Sequence, residues 1–533
     1  MPSDSIPFKE TNYFSQIICD YLDEKPELNP FYNQFPRLEN FKLQIEEKAK
    51  NYDQEFREVL VKSLHNQYRD VSTSDLTKSH IESLSNNNTY TIVTGHQLNL
   101  FTGPLYFFYK IISTINLCKI LKLKYPTSNF VPIYWMATED HDFEEINYFN
   151  FEGKKVQWNR DASGPVGHLK LLGLDEIFKV FSKHLNDSEN SDKLKKLFTD
   201  AYLKNENLTD AMRFLVNELF KDEGLVIIDG DDKDLKTLFK PTMQKEIIEN
   251  ISFKKAEETI DEINKLGANY KVQVNPREIN LFYIKENLRE RIVELEGKFY
   301  VNDSDMSWDK AGIMQELDAH PERFSPNVIM RPVYQEQILP NLCYIGGGGE
   351  LAYWLQLKST FKAYDITFPF LLLRNSALIL TETHLKKIDK LNVEVKDLFL
   401  KNSELRTLVT KRVSEISLDF SEQKQHLKNQ FEDLYKLAEE TDASFKGAVA
   451  AQQRKQIKGL ENLEKRLLKA QKRKVSDYLE RVTEIQNELF PSHSLQERNS
   501  NFSEFYMRYG EAFKLKLLQN LEPLKFEFLV LEI

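Results

Sequence analysis

Two short apolar runs separated by one long one constrain this chain more than any other feature. Tyr90 to Thr94 (YTIVT) is largely β-branched and closed by Gly95, and Phe130 to Met136 (FVPIYWM) is aliphatic and aromatic almost throughout. Neither alternates apolar with polar residues, so both read as strands buried on two faces. Between them Pro104 suits a first helical turn, and Leu105 to Leu123 is a helix-length apolar stretch. Strand, helix, strand is the βαβ pattern of a parallel, doubly wound sheet, so the expected fold class is α/β. Leu225 to Asp229 (LVIID), Leu342 to Ile345 and Phe368 to Leu373 (FPFLLL) repeat the buried-strand signature. A helix follows the first of these to about Asn250, and another starts at Glu350 after the second.

A chain of 533 residues exceeds one compact core. The economical reading is a core over 1–383 with two connecting insertions. The first, about 150–222, is polar and mostly helical; the second, about 251–330, contains short β-like pieces between 270 and 301 that suggest a small antiparallel sheet. Beyond residue 384 the pattern changes. Leu427, Phe431, Leu434, Ala438, Thr441 and Phe445 step by four and three, as do Val475, Tyr478, Val482, Ile485 and Leu489. That spacing makes a seam that must face another helix. Gly447 and its small neighbours divide the two runs, which predicts an antiparallel coiled-coil hairpin within 384–495. Its outer side would be open to a second copy, hence a homodimer, or else would pack on the chain's own core. The segment 496–533 is expected to return to the core through the strand-like FEFLVLEI.

Composition excludes several classes. Lys and Arg total 72 against 82 Asp and Glu, a formal charge of −10, which disfavours a nucleic-acid partner. Cys19, Cys118 and Cys343 are far apart with no CxxC pair, so neither a disulfide framework nor a zinc site is expected. The opening residues lack a basic start followed by an apolar run, and Lys110, Asn116, Lys119 and Lys122 interrupt the longest apolar stretch. That stretch reads as a buried amphipathic helix rather than a membrane span, and a cytoplasmic location is expected.

Three constellations could carry chemistry, each at a strand end. Thr94-Gly95-His96-Gln97, followed by Thr102-Gly103-Pro104, joins a strand to a helix, where free N–H groups and the helix dipole favour a phosphate. The alternative is a glycine turn with a structural histidine. Glu139-Asp140-His141-Asp142, with Glu144 and Glu145 behind, could hold an ammonium, accept a proton or bind Mg²⁺, or could be a solvated loop. Gly346 to Gly349 with Glu350 is neither GxGxxG nor a P-loop, and four glycines imply either close approach of a ligand or a flexible turn. Arg331 and Arg374, the latter followed by Asn375, could anchor anions or serve as structural ion-pair partners. The basic stretch Arg454 to Lys474 reads best as the solvated face of the hairpin.

The blocks TGHQLNLFTGPLY, PIYWMATEDHDFEEINY, KDEGLVIID and HPERFSPNVIMRPVYQEQILPNLCYIGGGGELAYW, with the heptad-bearing hairpin, resemble the BshC family of bacillithiol biosynthesis. The resemblance implies a Rossmann-like core with two connecting insertions and an α-helical coiled-coil domain used for dimerisation. It also implies a cysteine ligase that joins cysteine to glucosaminyl-malate. The core is similar to nucleotidylyltransferases and class I aminoacyl-tRNA synthetases, whose His-x-Gly-His signature is matched by Val93-Thr94-Gly95-His96, with valine in the first position. The implied co-substrate is ATP or another adenine nucleotide with Mg²⁺, activating the cysteine carboxylate as an acyl-adenylate or acyl-phosphate; zinc, which cysteine-selecting enzymes of that superfamily often use, is not expected because this chain lacks a Cys and His cluster. Catalytic roles then fall to His96, Glu139, Asp140, His141 and Asp142. Nucleotide contacts fall to Thr94, Gly95, Gln97, Thr102, Gly103 and Gly346, Gly347, Gly348 and Gly349. Substrate contacts fall to Arg331, Glu350, Arg374 and Asn375. The histidine turn and the acidic quartet are expected to meet across one cleft. The alternative is a non-catalytic nucleotide- or intermediate-binding scaffold of the same pathway.

Overall fold

The computed structural model describes residues 4–267 and 270–533. Its centre is a sheet of strands β1 (Thr89–His96), β2 (Asn129–Met136), β3 (Val226–Asp229), β4 (Asn341–Gly346) and β5 (Phe370–Leu373), in the spatial order β5-β4-β1-β2-β3. Every neighbouring pair is parallel, which requires a crossover after each strand. The registers His96↔Met136, Met136↔Asp229 and Gly346↔Leu373 bring the strand ends to one rim. The order reverses between β1 and β4, and ligands of open α/β sheets bind at such a reversal.

The helix Tyr106–Lys124 crosses from β1 to β2. Residues 107 to 118 are all buried, so the expected amphipathic helix is instead enclosed on all sides. The sheet covers one side. On another, the Asn116 amide donates to the carbonyls of Leu518 and Leu521, which ties the tail of the chain over the helix. Burying each Phe or Leu here contributes about 1.5–3 kcal/mol relative to exposure. Between β2 and β3, a hairpin (Tyr148–Phe151, Lys154–Gln157) precedes helices Leu174–Ser182, Glu189–Tyr202 and Leu208–Phe220. The last of these lies against β3, where Arg213 donates to the Ile227 carbonyl at 2.9 Å. Part of the region read as an insertion is therefore a core layer. The second insertion contains the expected antiparallel pieces: a five-stranded sheet spans Leu281 to Pro326.

A third sheet joins Asp4–Pro7, Ala377–Leu380 and Glu527–Glu532, with the last strand in the middle. The strand-like tail thus returns to pair with the first described residues. The hairpin consists of helices Ser421–Glu439 and Ala443–Lys474. Its turn lies at Glu440–Asp442, where the Asp442 carboxylate accepts from the Phe445 N–H. Gly447 lies inside the second helix, with open space where a side chain would be, so it does not break the runs. The seam is a small separate cluster of Phe431, Ala438 and Val449. The second heptad run belongs to another helix, Ser476–Leu489, whose Leu479, Val482, Ile485 and Leu489 join the main core. Among the described residues no helix is long and apolar enough to cross a membrane.

Candidate active site

The loop after β1 is rigid and closed from behind. Phe101, Thr102 and Gly103 have consecutive positive φ values of 49°, 67° and 62°, a conformation that costs non-glycine residues about 1–3 kcal/mol each. Packing offsets that cost: the Phe101 ring contacts those of Phe149, Phe181, Phe198 and Phe502. Asn501 donates to the carbonyls of Phe101 and Gly103, and the Leu105 N–H donates to Ser500 at 2.8 Å. The chain's own carbonyl therefore occupies the helix start expected to receive a phosphate. Thr94 is likewise buried, with its hydroxyl donating to the Ile345 carbonyl, so the expectation that it faces a nucleotide is corrected; Thr102 is buried with its hydroxyl unpartnered among the described residues. Gly103 makes room for Asn99, whose Cβ lies 2.5 Å from where a side chain would begin.

His96 ends β1 with its ring between those of Tyr106 and Phe107. Burial, reinforced by the nearby Lys110 ammonium, pulls its pKa down to about 3, so the ring is neutral at pH 7. Its Nε2 is buried with no hydrogen-bond partner among the described residues. A buried orphan of this kind costs about 1–3 kcal/mol and suits a ligand atom. Gly95 lies within the strand rather than in a turn, and its carbonyl accepts from Lys110 at 2.6 Å.

The acidic quartet follows β2 on the same rim. The Gln97 amide, next after β1, donates to Asp140 Oδ2 and Glu145 Oε2, both at 2.9 Å, so the two constellations are joined through Gln97. Asp140 and Asp142 have no lysine or arginine in ion-pair contact among the described residues. Glu139 differs: it turns inward to Lys236 Nζ at 2.7 Å, which also meets Asp231 at 2.6 Å. Burial pushes the Glu139 pKa up to about 7, and Lys236 restrains the rise. Asp231 is held well below the usual carboxylate range, because Lys236 and a 2.7 Å contact to His168 outweigh its burial. His141 is kept neutral by burial and by Arg289, whose NH1 donates to Nδ1 at 2.5 Å.

Lys236, Asp231, His168 and Arg289 come from segments that the motif reading passed over. A signal existed: Asp229-Gly230-Asp231-Asp232 follows an apolar strand, as the quartet does. No group of three or more His, Cys, Asp or Glu residues suited to a metal is present among the described residues.

The glycine run belongs to the switch between β4 and β1. A side chain at Gly346 would come within 2.8 Å of Leu351 and 2.9 Å of Tyr344, so internal packing rather than a ligand requires this glycine. Gly347 donates its N–H to Glu350, Gly348 faces Phe14 and Ile18, and only Gly349 opens on empty space. Glu350, expected to touch substrate, is engaged by Lys110 at 2.6 Å and by the Tyr344 hydroxyl at 2.6 Å. Although burial pushes its carboxyl up, these partners hold it below the usual range.

Arg374 is corrected too. It is buried in an ion pair with Glu497 at 2.6 Å, and Asn375 is consumed by Ser113 and the Glu522 carbonyl. Arg331 keeps neutral partners, Gln335 and Tyr353, behind Gly95.

Known proteins match this architecture along the whole chain. Residues 1–375 match the model of the bacillithiol biosynthesis BshC N-terminal Rossmann-like domain, and residues 377–533 match that of the BshC C-terminal coiled-coil domain. A protein of Flavobacterium johnsoniae named "Putative cysteine ligase BshC" is 58% identical over 533 residues, covering 100% of both chains. Proteins of the same name from Christiangramia forsetii and Cytophaga hutchinsonii are 56% and 36% identical, covering 100% and 98% of this chain and 99% and 97% of theirs. With a parallel Rossmann-like sheet in its first part and a helical hairpin in its second, the chain belongs to the BshC family of bacillithiol biosynthesis.

Proposed function

We propose that this protein is a ligase that joins cysteine to glucosaminyl-malate, forming bacillithiol, with ATP or another adenine nucleotide and Mg²⁺. The observation that carries the reading is the Gln97 amide reaching Asp140 across the rim, which joins the residue after the histidine strand end to the acidic quartet. The relatives' name supports the cysteine ligase class. The residues fit a nucleotide phosphate at two points, the orphaned Nε2 of His96 and the open backbone at Gly349. Asp140 and Asp142 suit Mg²⁺, which is typically bound through one or two carboxylates with phosphate oxygens completing its shell.

When bound, the nucleotide supplies activation of the cysteine carboxylate, since an amide does not form from a carboxylate and an ammonium in water. The protein's own residues do the rest. Neutral His96 hydrogen-bonds an anionic oxygen without adding charge. Glu139, poised near neutral pH, takes the proton that the amino-sugar ammonium must lose before attack. Lys236 keeps that carboxylate partly ionised, and His141, fixed by Arg289, orients the amine. Arg331 is the candidate anchor for a malate carboxylate.

A homodimer through the hairpin and a cytoplasmic location complete the reading. The first is supported by Leu434, Leu437, Phe445 and Leu463, large apolar side chains exposed on the hairpin. The test is reconstitution with ATP, cysteine and glucosaminyl-malate, following the amide product by mass and AMP or ADP release. Product is expected from the wild type and is lost in Asp140→Ala and His96→Ala. No product from a folded wild type that still binds the intermediates would leave the scaffold reading in its place.

A further inference from the structure

A cleft of about 250 Å³ opens beside Gln97, between the loop after β1, the segment Glu145–Asn150 and the short helix Gln496–Asn499 that carries Arg498. It is too small for a nucleotide together with a sugar substrate, and its walls carry one charge of each sign. Arg498 lies over the Tyr106 ring, 6.0 Å from its centroid, and is the guanidinium there without a carboxylate partner among the described residues. Its neighbour over the same ring, Arg374, is already neutralised by Glu497. Glu145 accepts from the Gln97 amide but meets no cation among the described residues. Asn99, only 6% exposed, also lines the cleft; its Nδ2 donates to the Glu145 carbonyl while its Oδ1 is buried with no partner among the described residues. Gly103 is what lets Asn99 stand there, since a side chain at 103 would displace it. An unpaired guanidinium, an unpaired carboxylate and an orphaned buried acceptor around one small cavity are complementary to a carboxylate and an ammonium on one small molecule.

We propose that this cleft binds a small α-amino acid as its zwitterion, with the carboxylate on Arg498 and the ammonium on Glu145 and Asn99 Oδ1. The inference deepens the proposed function, in which that amino acid is cysteine. The carboxylate end then lies beside Tyr106, whose ring packs against His96, where activation is proposed. Pro104, Tyr148 and Phe149 give the side chain a partly apolar wall, which accepts a thiol without a metal.

The test is equilibrium binding of L-cysteine to the full chain by calorimetry, with KM for cysteine measured in the reconstituted assay. Arg498 and Glu145 are both exposed, so Arg498→Gln and Glu145→Gln are expected to melt like the wild type. Each raises the Kd and the cysteine KM at least tenfold, while the KM for glucosaminyl-malate stays within twofold. Cysteamine, which lacks the carboxylate, binds wild type and Arg498→Gln alike; 3-mercaptopropionate, which lacks the amine, does the same for Glu145→Gln. Turnover with unchanged cysteine KM in both variants overturns the site and leaves the ligase reading standing. Cysteine binding that depends on both residues, in a protein that forms no amide, upholds the site and removes the ligase reading. Absence of cysteine binding by the wild type at millimolar concentration overturns the site.

Discussion

Single side chains at this rim have their ionisation set by what surrounds them. Glu139 sits near neutral pH because burial raises it and Lys236 restrains the rise. In the proposed role of base it must be ionised, so kcat is expected to rise with pH through about 7. Lys236→Met removes the restraint, and the limb moves alkaline by about 1–3 pH units in a kcat–pH profile. Because a buried ion pair loses one partner, the variant also loses about 3–5 kcal/mol in denaturant titrations. Glu504 provides a stability counterpart away from the rim, since burial holds its carboxyl at about 7 against an ordinary 4.5. The folded chain keeps that proton where the unfolded chain has released it, so its contribution is full below pH 4.5 and drains away as pH rises to 7. Glu504→Gln is therefore expected to gain up to about 3 kcal/mol over wild type at pH 8 and nearly nothing at pH 4.5, read from guanidinium melts. Sequence alone showed the charged residues but not their partners. Arg374 looked like an anion anchor because nothing local marks Glu497 as its counter-ion, and nothing local marks Lys236 as the partner of Glu139.

Elements were more legible than residues, where one period governs a whole segment. Every strand of the central sheet is a run of apolar residues buried on both faces, and that signature survives without tertiary knowledge. The hairpin turn was less legible. Gly447 looked like a breaker, but an exposed helix tolerates a glycine at about 1 kcal/mol, and the Asp442 cap marks the real break. The Val475–Leu489 run has the spacing of a coiled coil yet packs on the core, because spacing reports a buried stripe and not the identity of what buries it. The glycine run separates the same two meanings. Gly346→Ala is expected to lose about 1–3 kcal/mol through its contacts with Leu351 and Tyr344. Gly349→Ala, helical and open, gains about 0.5–1 kcal/mol, both changes being read from thermal melts.

At the scale of the whole molecule, the hairpin stands apart from the main core, sharing its buried seam only with itself. Leu437→Glu combined with Leu463→Glu alters side chains that are 52% and 53% exposed, so the fold should be kept. Light scattering is expected to report a monomer for this double variant and a dimer for wild type. The rim is assembled from residues spread over almost the whole length, and no local pattern announces that Ser500 and Asn501 lie on the loop after β1. That closure has a kinetic side. Phe502 stacks on Phe108 and meets Phe101, so until it emerges from the ribosome a nascent chain carries those rings without that cover. The rim is thus completed only when this segment docks. A chaperone that shields aromatic surface should engage the chain late in translation and release it only once this segment has docked.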